Sequence, residues 1–213
     1  MPTRALLPSV STMLLAGCSV FGIRSGYEQP RYEVVGHAGD DVEIRRYGPR
    51  LAAATTVDAV EAQAGQNAAF RILAAYIFGA NRATTEIAMT APVAVEAEPE
   101  PIAMTAPVET AAAGEGRYVM RFFLPSRLTM ATAPQPTDPR VQLVEVPAET
   151  IAALRFTGCG DSAQVEARQD ELLGALRESA WRPLGPPAAY FYDPPWTLPF
   201  LRRNEVTIAV VAR

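Results

Sequence analysis

The chain contains no lysine; all 19 of its basic residues are arginine. Schiff-base chemistry and Walker-type phosphate loops both need a lysine amine, so both are excluded. Histidine is almost as scarce. His37 is the single copy, which excludes multi-histidine metal sites and leaves histidine catalysis one candidate, in a turn-like stretch. The two cysteines, Cys18 and Cys159, are too few for clustered zinc ligands. An excess of basic charge is also missing: the net charge of −4 offers no basic face, and no nucleic-acid partner is expected. Nor is any apolar run long enough to span a bilayer as a helix.

What is present starts with an address. Arg4 precedes the short apolar stretch 5–16, which ends in Leu15-Ala16-Gly17-Cys18. Small residues before a cysteine at this point resemble a bacterial lipobox, with cleavage before Cys18 and lipid on its thiol. The expected organisation is a signal peptide over 1–17, a flexible tether over 18–29 and one domain over 30–213. The lipid would hold that domain on the periplasmic side of the envelope, and Ser19 is compatible with sorting to the outer membrane. Lipidation of Cys18 leaves Cys159 without an intramolecular partner, and Gly158-Cys-Gly160 is expected to bury a small thiol.

Strand periodicity recurs at Tyr32–Val35, Val42–Tyr47, Leu51–Val57, Arg117–Leu124, Val141–Val146, Thr150–Thr157, Tyr190–Asp193 and Glu205–Val211. Helical spacing places one helix at Ala59–Phe78, capped by Asp58, and another at Ser162–Trp181, where Asp161 and Gln164 suit a capping box. Strand 51–57 with its helix and later strands parallels strand 150–157 with its own. The pattern predicts an α+β domain: two βαββ-type halves forming a curved antiparallel sheet flanked by two helices. The heptad IAMTAPV occurs twice, at Ile87–Val93 and Ile102–Val108. It contains no strong acid, base or nucleophile, and two short strands joined by the acidic tip 94–101 are expected, with Met89 and Met104 in the core.

Catalysis has little support in these residues. Asp40-Asp41 reads as a solvated turn, Glu96, Glu98 and Glu100 as a solvated hairpin tip, and Glu43 and Glu205 as outward-facing strand residues. Ligand binding has more. The segment 189–204, AYFYDPPWTLPFLRRN, sets five aromatics beside Arg202-Arg203. Flat apolar faces next to guanidinium groups suit an aromatic anion, and the same aromatics can equally plug a core.

Three motifs in order, VEIRRYGP at 42–49, the IAMTAPV heptad and DPPW…RRNEV at 193–206, resemble the SOUL/heme-binding-protein family over about residues 30–212. The resemblance implies a distorted β-barrel of two βαββ halves and non-covalent binding of heme or another porphyrin, with no established reaction. The position of a histidine proposed as heme ligand in some members is Arg46 here. An apolar cleft between the first helix and the late aromatic loop corresponds to Asn67, Phe70, Arg71, Ala74 and Ala75, with Tyr192, Trp196 and Arg202 opposite. Arg71 and Arg202 would meet the propionates. The expected function is thus a lipid-anchored, monomeric, non-enzymatic tetrapyrrole carrier, buffer or sensor. Two alternatives stay open: a GyrI-like domain that binds or hydrolyses another apolar small molecule, and a structural envelope lipoprotein.

Overall fold

The computed structural model describes residues 28–83, 86–88, 90–97, 116–193 and 196–213. Alternating residues at the start form β1 (Tyr32–Ala38) and β2 (Val42–Tyr47), paired antiparallel across a turn in which Gly39 takes a left-handed φ of 67°. Then follow β3 (Arg50–Ala59), α1 (Ala62–Ile77), β4 (Val93–Ala97), β5 (Gly116–Phe123), β6 (Gln142–Val146), β7 (Glu149–Phe156), α2 (Ser162–Arg177), β8 (Trp181–Phe191) and β9 (Asn204–Ala212). A single 3-10 turn, Pro199–Leu201, precedes β9.

All nine strands join one antiparallel sheet in the order β1-β2-β7-β9-β8-β4-β5-β3-β6. Each half is a βαββ unit whose last strand lies in the middle: β3, α1, β4 and β5 in one, β7, α2, β8 and β9 in the other. They meet where β4 pairs with β8, Val93 opposite Phe191 and Glu96 opposite Ala188. The α+β class and the two halves are as the sequence indicates. The barrel is not closed, because β1 and β6 end the strand order without pairing to each other.

One face of the sheet takes the helices. Leu73, Tyr76 and Ile77 of α1 pack on Leu51, Ala53, Met120 and Phe122. Leu172 and Leu176 of α2 pack on Ile44, Leu154, Val206 and Ile208. The other face is buried without any helix: Tyr47, Ala52, Phe123, Ile151, Tyr190 and Tyr192 form a third cluster. This requires the sheet to fold over itself. The links 48–49 and 147–148 are two residues long, yet they join strands from opposite ends of the order, so the two ends must lie close.

Several local expectations are corrected. β3 runs on through Asp58, so α1 starts at Ala62 with Glu61 at its N-cap and no side-chain cap. α2 is capped as expected, with Asp161 Oδ1 accepting from Gln164 N at 2.9 Å, but it ends at Arg177 and Trp181 already opens β8. The described residues of the first heptad form no strand before Val93. Ile87 is buried in the α1 cluster, the Thr90 hydroxyl donates to the Phe123 carbonyl, and only Val93 enters β4. Met89, the second heptad with Met104, and the end of the acidic tip lie outside the described residues, as does Cys18.

Candidate ligand-binding site

At the junction of the two halves, where β4 pairs with β8, a cleft of about 260 Å³ opens. Gln63, Gln66, Asn67 and Phe70 form one wall, at the three- and four-residue spacing that aligns side chains on one helix face. Val93, Val95 and Met120 form the floor with Phe191, and Cys159, Gly160, Trp196 and Arg202 the facing wall. Phe70 is held edge-on against Phe122, ring centroids 5.4 Å apart.

The facing wall is built from two turns bonded together. Gly160 N donates to Gln164 Oε1 at 2.9 Å, and Gln164 Nε2 donates to the Thr157 carbonyl at 3.1 Å, so the cap of α2 also shapes the turn carrying Cys159. Gly160 has a left-handed φ of 68°, and a Cβ there would stand 2.7 Å from the Phe191 ring. Arg202 ties this turn to the aromatic loop: Nε donates to the Thr197 carbonyl at 2.7 Å and Nη1 to the Cys159 carbonyl at 3.2 Å. Asp193 Oδ2 accepts from Arg203 N at 2.7 Å where the loop returns to β9.

Of the residues singled out in the sequence, Asn67, Phe70, Tyr192, Trp196 and Arg202 line this one cleft. Arg71, Ala74 and Ala75 do not; Arg71 and Ala75 are exposed, and the cleft ends at Phe70. Cys159 is exposed at the wall rather than buried. His37 lies elsewhere, beside Asp40, Asp41 and Glu43 in a separate polar depression. Among the described residues, no group of His, Cys, Asp or Glu could hold a metal ion. Met120 and Val95 were missed, since a residue of β5 or β4 reaches the cleft only through sheet pairing that the sequence does not display; Gln66 shares the α1 face of Asn67 and Phe70 and was missed although helical spacing could have found it.

Behind Tyr192 lies a charge network that the outward reading of Glu205 did not foresee. Glu205 is fully buried. Its Oε2 accepts from Arg45 Nη1 and from the Tyr192 hydroxyl, both at 2.7 Å, and its Oε1 from Arg203 Nη2 at 2.7 Å and Arg45 Nη2 at 3.2 Å. Burial alone would raise the carboxyl pKa, but the Arg45 hydrogen bonds and charge, then Arg203, hold it below the ordinary value. Burial pushes the Tyr192 hydroxyl well up, and that of Tyr47 up to about 12. Glu205 alternates with Val206 and Ile208; its own face reads as solvent only if the sheet is covered on one side.

The profile of the SOUL heme-binding protein family matches residues 27–209. The chain belongs to that family. Membership carries a general capacity for heme or tetrapyrrole binding. Among solved structures, the C-terminal domain of EcmrR shares the fold at 10% identity, covering 85% of this chain and 99% of its own, with a TM-score of 0.58. An uncharacterized conserved protein from Listeria innocua matches at 12% identity over 80% of this chain and 92% of its own, TM-score 0.55. A hydrolase from the same organism matches at 10% identity over the same shares, TM-score 0.52. At such identities these neighbours speak for the fold alone. No curated protein sequence matches the chain.

Proposed function

We propose that the cleft binds a tetrapyrrole, heme or a related porphyrin, non-covalently, and that the protein is a lipid-anchored carrier, buffer or sensor rather than an enzyme. The observation that carries this reading is the cleft itself. Phe70 and Trp196 stand on different walls over an apolar floor, in a chain whose family binds heme. A porphyrin is a broad apolar disc with two carboxylates on one edge, and two aromatic walls over Val93, Val95 and Met120 suit its faces. At about 260 Å³ the cavity takes the disc edge-in and leaves part of it in solvent. Arg202 is the cation at the wall for a propionate.

The donor set fits the macrocycle better than it fits the iron. No histidine lines the cleft; the soft donors in its walls are the Met120 thioether and the Cys159 thiol. Iron, when the ligand carries it, supplies a Lewis-acidic centre, and the residues described here hold the ring rather than drive a reaction. Cys18 and the short apolar run before it support anchoring on the periplasmic side, at the outer membrane, and the acidic net charge supports the absence of a nucleic-acid partner.

For the GyrI-like alternative, a domain that binds or hydrolyses another apolar small molecule, Glu205 does not serve as the free carboxylate in the cleft that would favour it. Both of its oxygens are already occupied by Arg45, Arg203 and Tyr192. The ligand class is tested by comparing hemin with metal-free protoporphyrin IX. Gripping of the ring predicts dissociation constants within about tenfold of each other, or about 1.4 kcal/mol. Neither compound binding saturably, with another apolar molecule found on protein purified from its host, would overturn the reading.

A further inference from the structure

Three large apolar side chains project from one short loop. Trp196, Leu198 and Phe200 are 62%, 37% and 70% exposed. The loop beneath them is fixed. Thr197, between two of them, is buried, and its carbonyl accepts from Arg202. The Pro199 carbonyl accepts from Gly158 N at 3.0 Å, and Leu201 N closes back on the Leu198 carbonyl at 2.9 Å. The backbone therefore holds Trp196, Leu198 and Phe200 outward, with Thr197 turned in. Water-exposed apolar clusters of this kind mark interaction sites, and Trp, Leu and Phe together are the side chains that seat in the membrane interface.

The entry point of the chain says what meets this loop. The Glu28 carbonyl accepts from Ala91 N at 3.1 Å, and Gln29 Oε1 accepts from Arg203 Nη1 at 3.3 Å. Ala91 lines the same cleft as Trp196. The described chain thus begins at Glu28 beside the cleft, and Gln29 is bonded to Arg203, three residues beyond Phe200. From Cys18 to Glu28 the chain reaches at most ~35 Å when extended. A lipid on Cys18 brings this end of the domain to the bilayer.

We propose that the loop Trp196–Phe200 is a lipid-facing wedge that seats the mouth of the cleft on the membrane to which the N-terminus is tethered. This inference rests on the lipid-anchor reading of Cys18. Docked in this way, the cleft opens toward the lipid, and a flat apolar ligand passes between bilayer and protein without crossing bulk water. The contact is apolar, made by the three exposed side chains; Arg202, on the cleft wall and bonded to the Thr197 and Cys159 carbonyls, takes no part in it.

The test uses the full lipidated chain on vesicles of phosphatidylethanolamine and phosphatidylglycerol whose acyl chains carry bromine, without added porphyrin. Emission from Trp196 is quenched relative to unbrominated vesicles, the quenching is lost in Trp196→Phe, and Phe200→Glu reduces it while the protein still pellets with the vesicles. Phe200 is 70% exposed, so this change leaves the fold intact. Protein that pellets but shows no more quenching than Trp196→Phe overturns the wedge, as does unaltered quenching in Phe200→Glu. Self-association through the loop, seen as a doubled mass abolished by Phe200→Glu, overturns it as well. Protein that stays in the supernatant overturns anchor and wedge together. Hemin titration in solution stands apart from all of these, so loss of docking and loss of ligand binding are read separately.

Discussion

Trp196 acts at two places at once, on the wall of the cleft and on the surface of the domain. Trp196 is 62% exposed, and truncation to alanine removes an aromatic wall, so binding falls by about 1–2 kcal/mol, roughly tenfold, while the urea stability of the ligand-free protein falls by less than that. A shift of the urea midpoint equal to the loss of affinity would assign the residue to structure instead. Glu205 is the opposite case. It touches no cleft surface, yet Glu205→Gln leaves Arg45 and Arg203 facing each other in a buried site, at a cost of about 3–5 kcal/mol by chemical denaturation. Because its folded pKa is depressed, its contribution is fully present above the ordinary value of 4.5 and is lost as pH falls through the lower folded value. Acid unfolding of the wild type should therefore be steeper below pH 4.5 than that of Glu205→Gln. Parallel acid profiles would remove the network from the account.

The elements differ in how well their ends are specified. α2 has a side-chain cap and α1 has none. Asp161→Ala should cost about 1 kcal/mol, and because Gln164 also bonds Gly160 N and the Thr157 carbonyl, it should loosen the turn carrying Cys159. Hydrogen exchange tests this directly: amides of the first turn of α1 exchange faster than those of α2, and Asp161→Ala abolishes the difference. Equal rates in the wild type would count against it. The same contrast decides what the sequence could show. The α2 cap, the alternation of β2 and β9 and the place of α1 were legible, because each is a local pattern. β8 was not. Pro183, Gly185, Pro186 and Pro187 argue against a strand, but its register with β9 shifts between Leu184 and Ala188, and β4 pairs only from Ala188 onward. The prolines mostly fall where no ladder hydrogen bond is required. The heptad misled in the reverse direction, since its alternation of large and small residues belongs to a crossing segment that buries Ile87 and Ala91 in different clusters.

At the scale of the whole molecule, the doubled βαββ arrangement makes the cleft. Two halves meet edge to edge through β4 and β8, and the site lies at that junction, between α1 and the turns before α2 and β9. The architecture was visible in the repeat of strand, helix and strands. That the far face is buried as well was not, because it depends on the sheet folding over itself, and with it went the position of Glu205. Five of the eight anticipated side chains share the cleft, because the junction brings the face of α1 carrying Asn67 and Phe70 opposite the loop carrying Tyr192, Trp196 and Arg202. Arg71, Ala74 and Ala75 do not, since the groove ends at Phe70, before their turn of α1. The central claim is that this junction holds a porphyrin. Titration of the purified domain with hemin tests it most directly: the wild type should give a saturable Soret shift with one site per chain, and Phe70→Asp, which puts a charge on the helix wall, should weaken it by at least about tenfold. A linear, non-saturating signal, or identical curves for wild type and Phe70→Asp, would contradict the account.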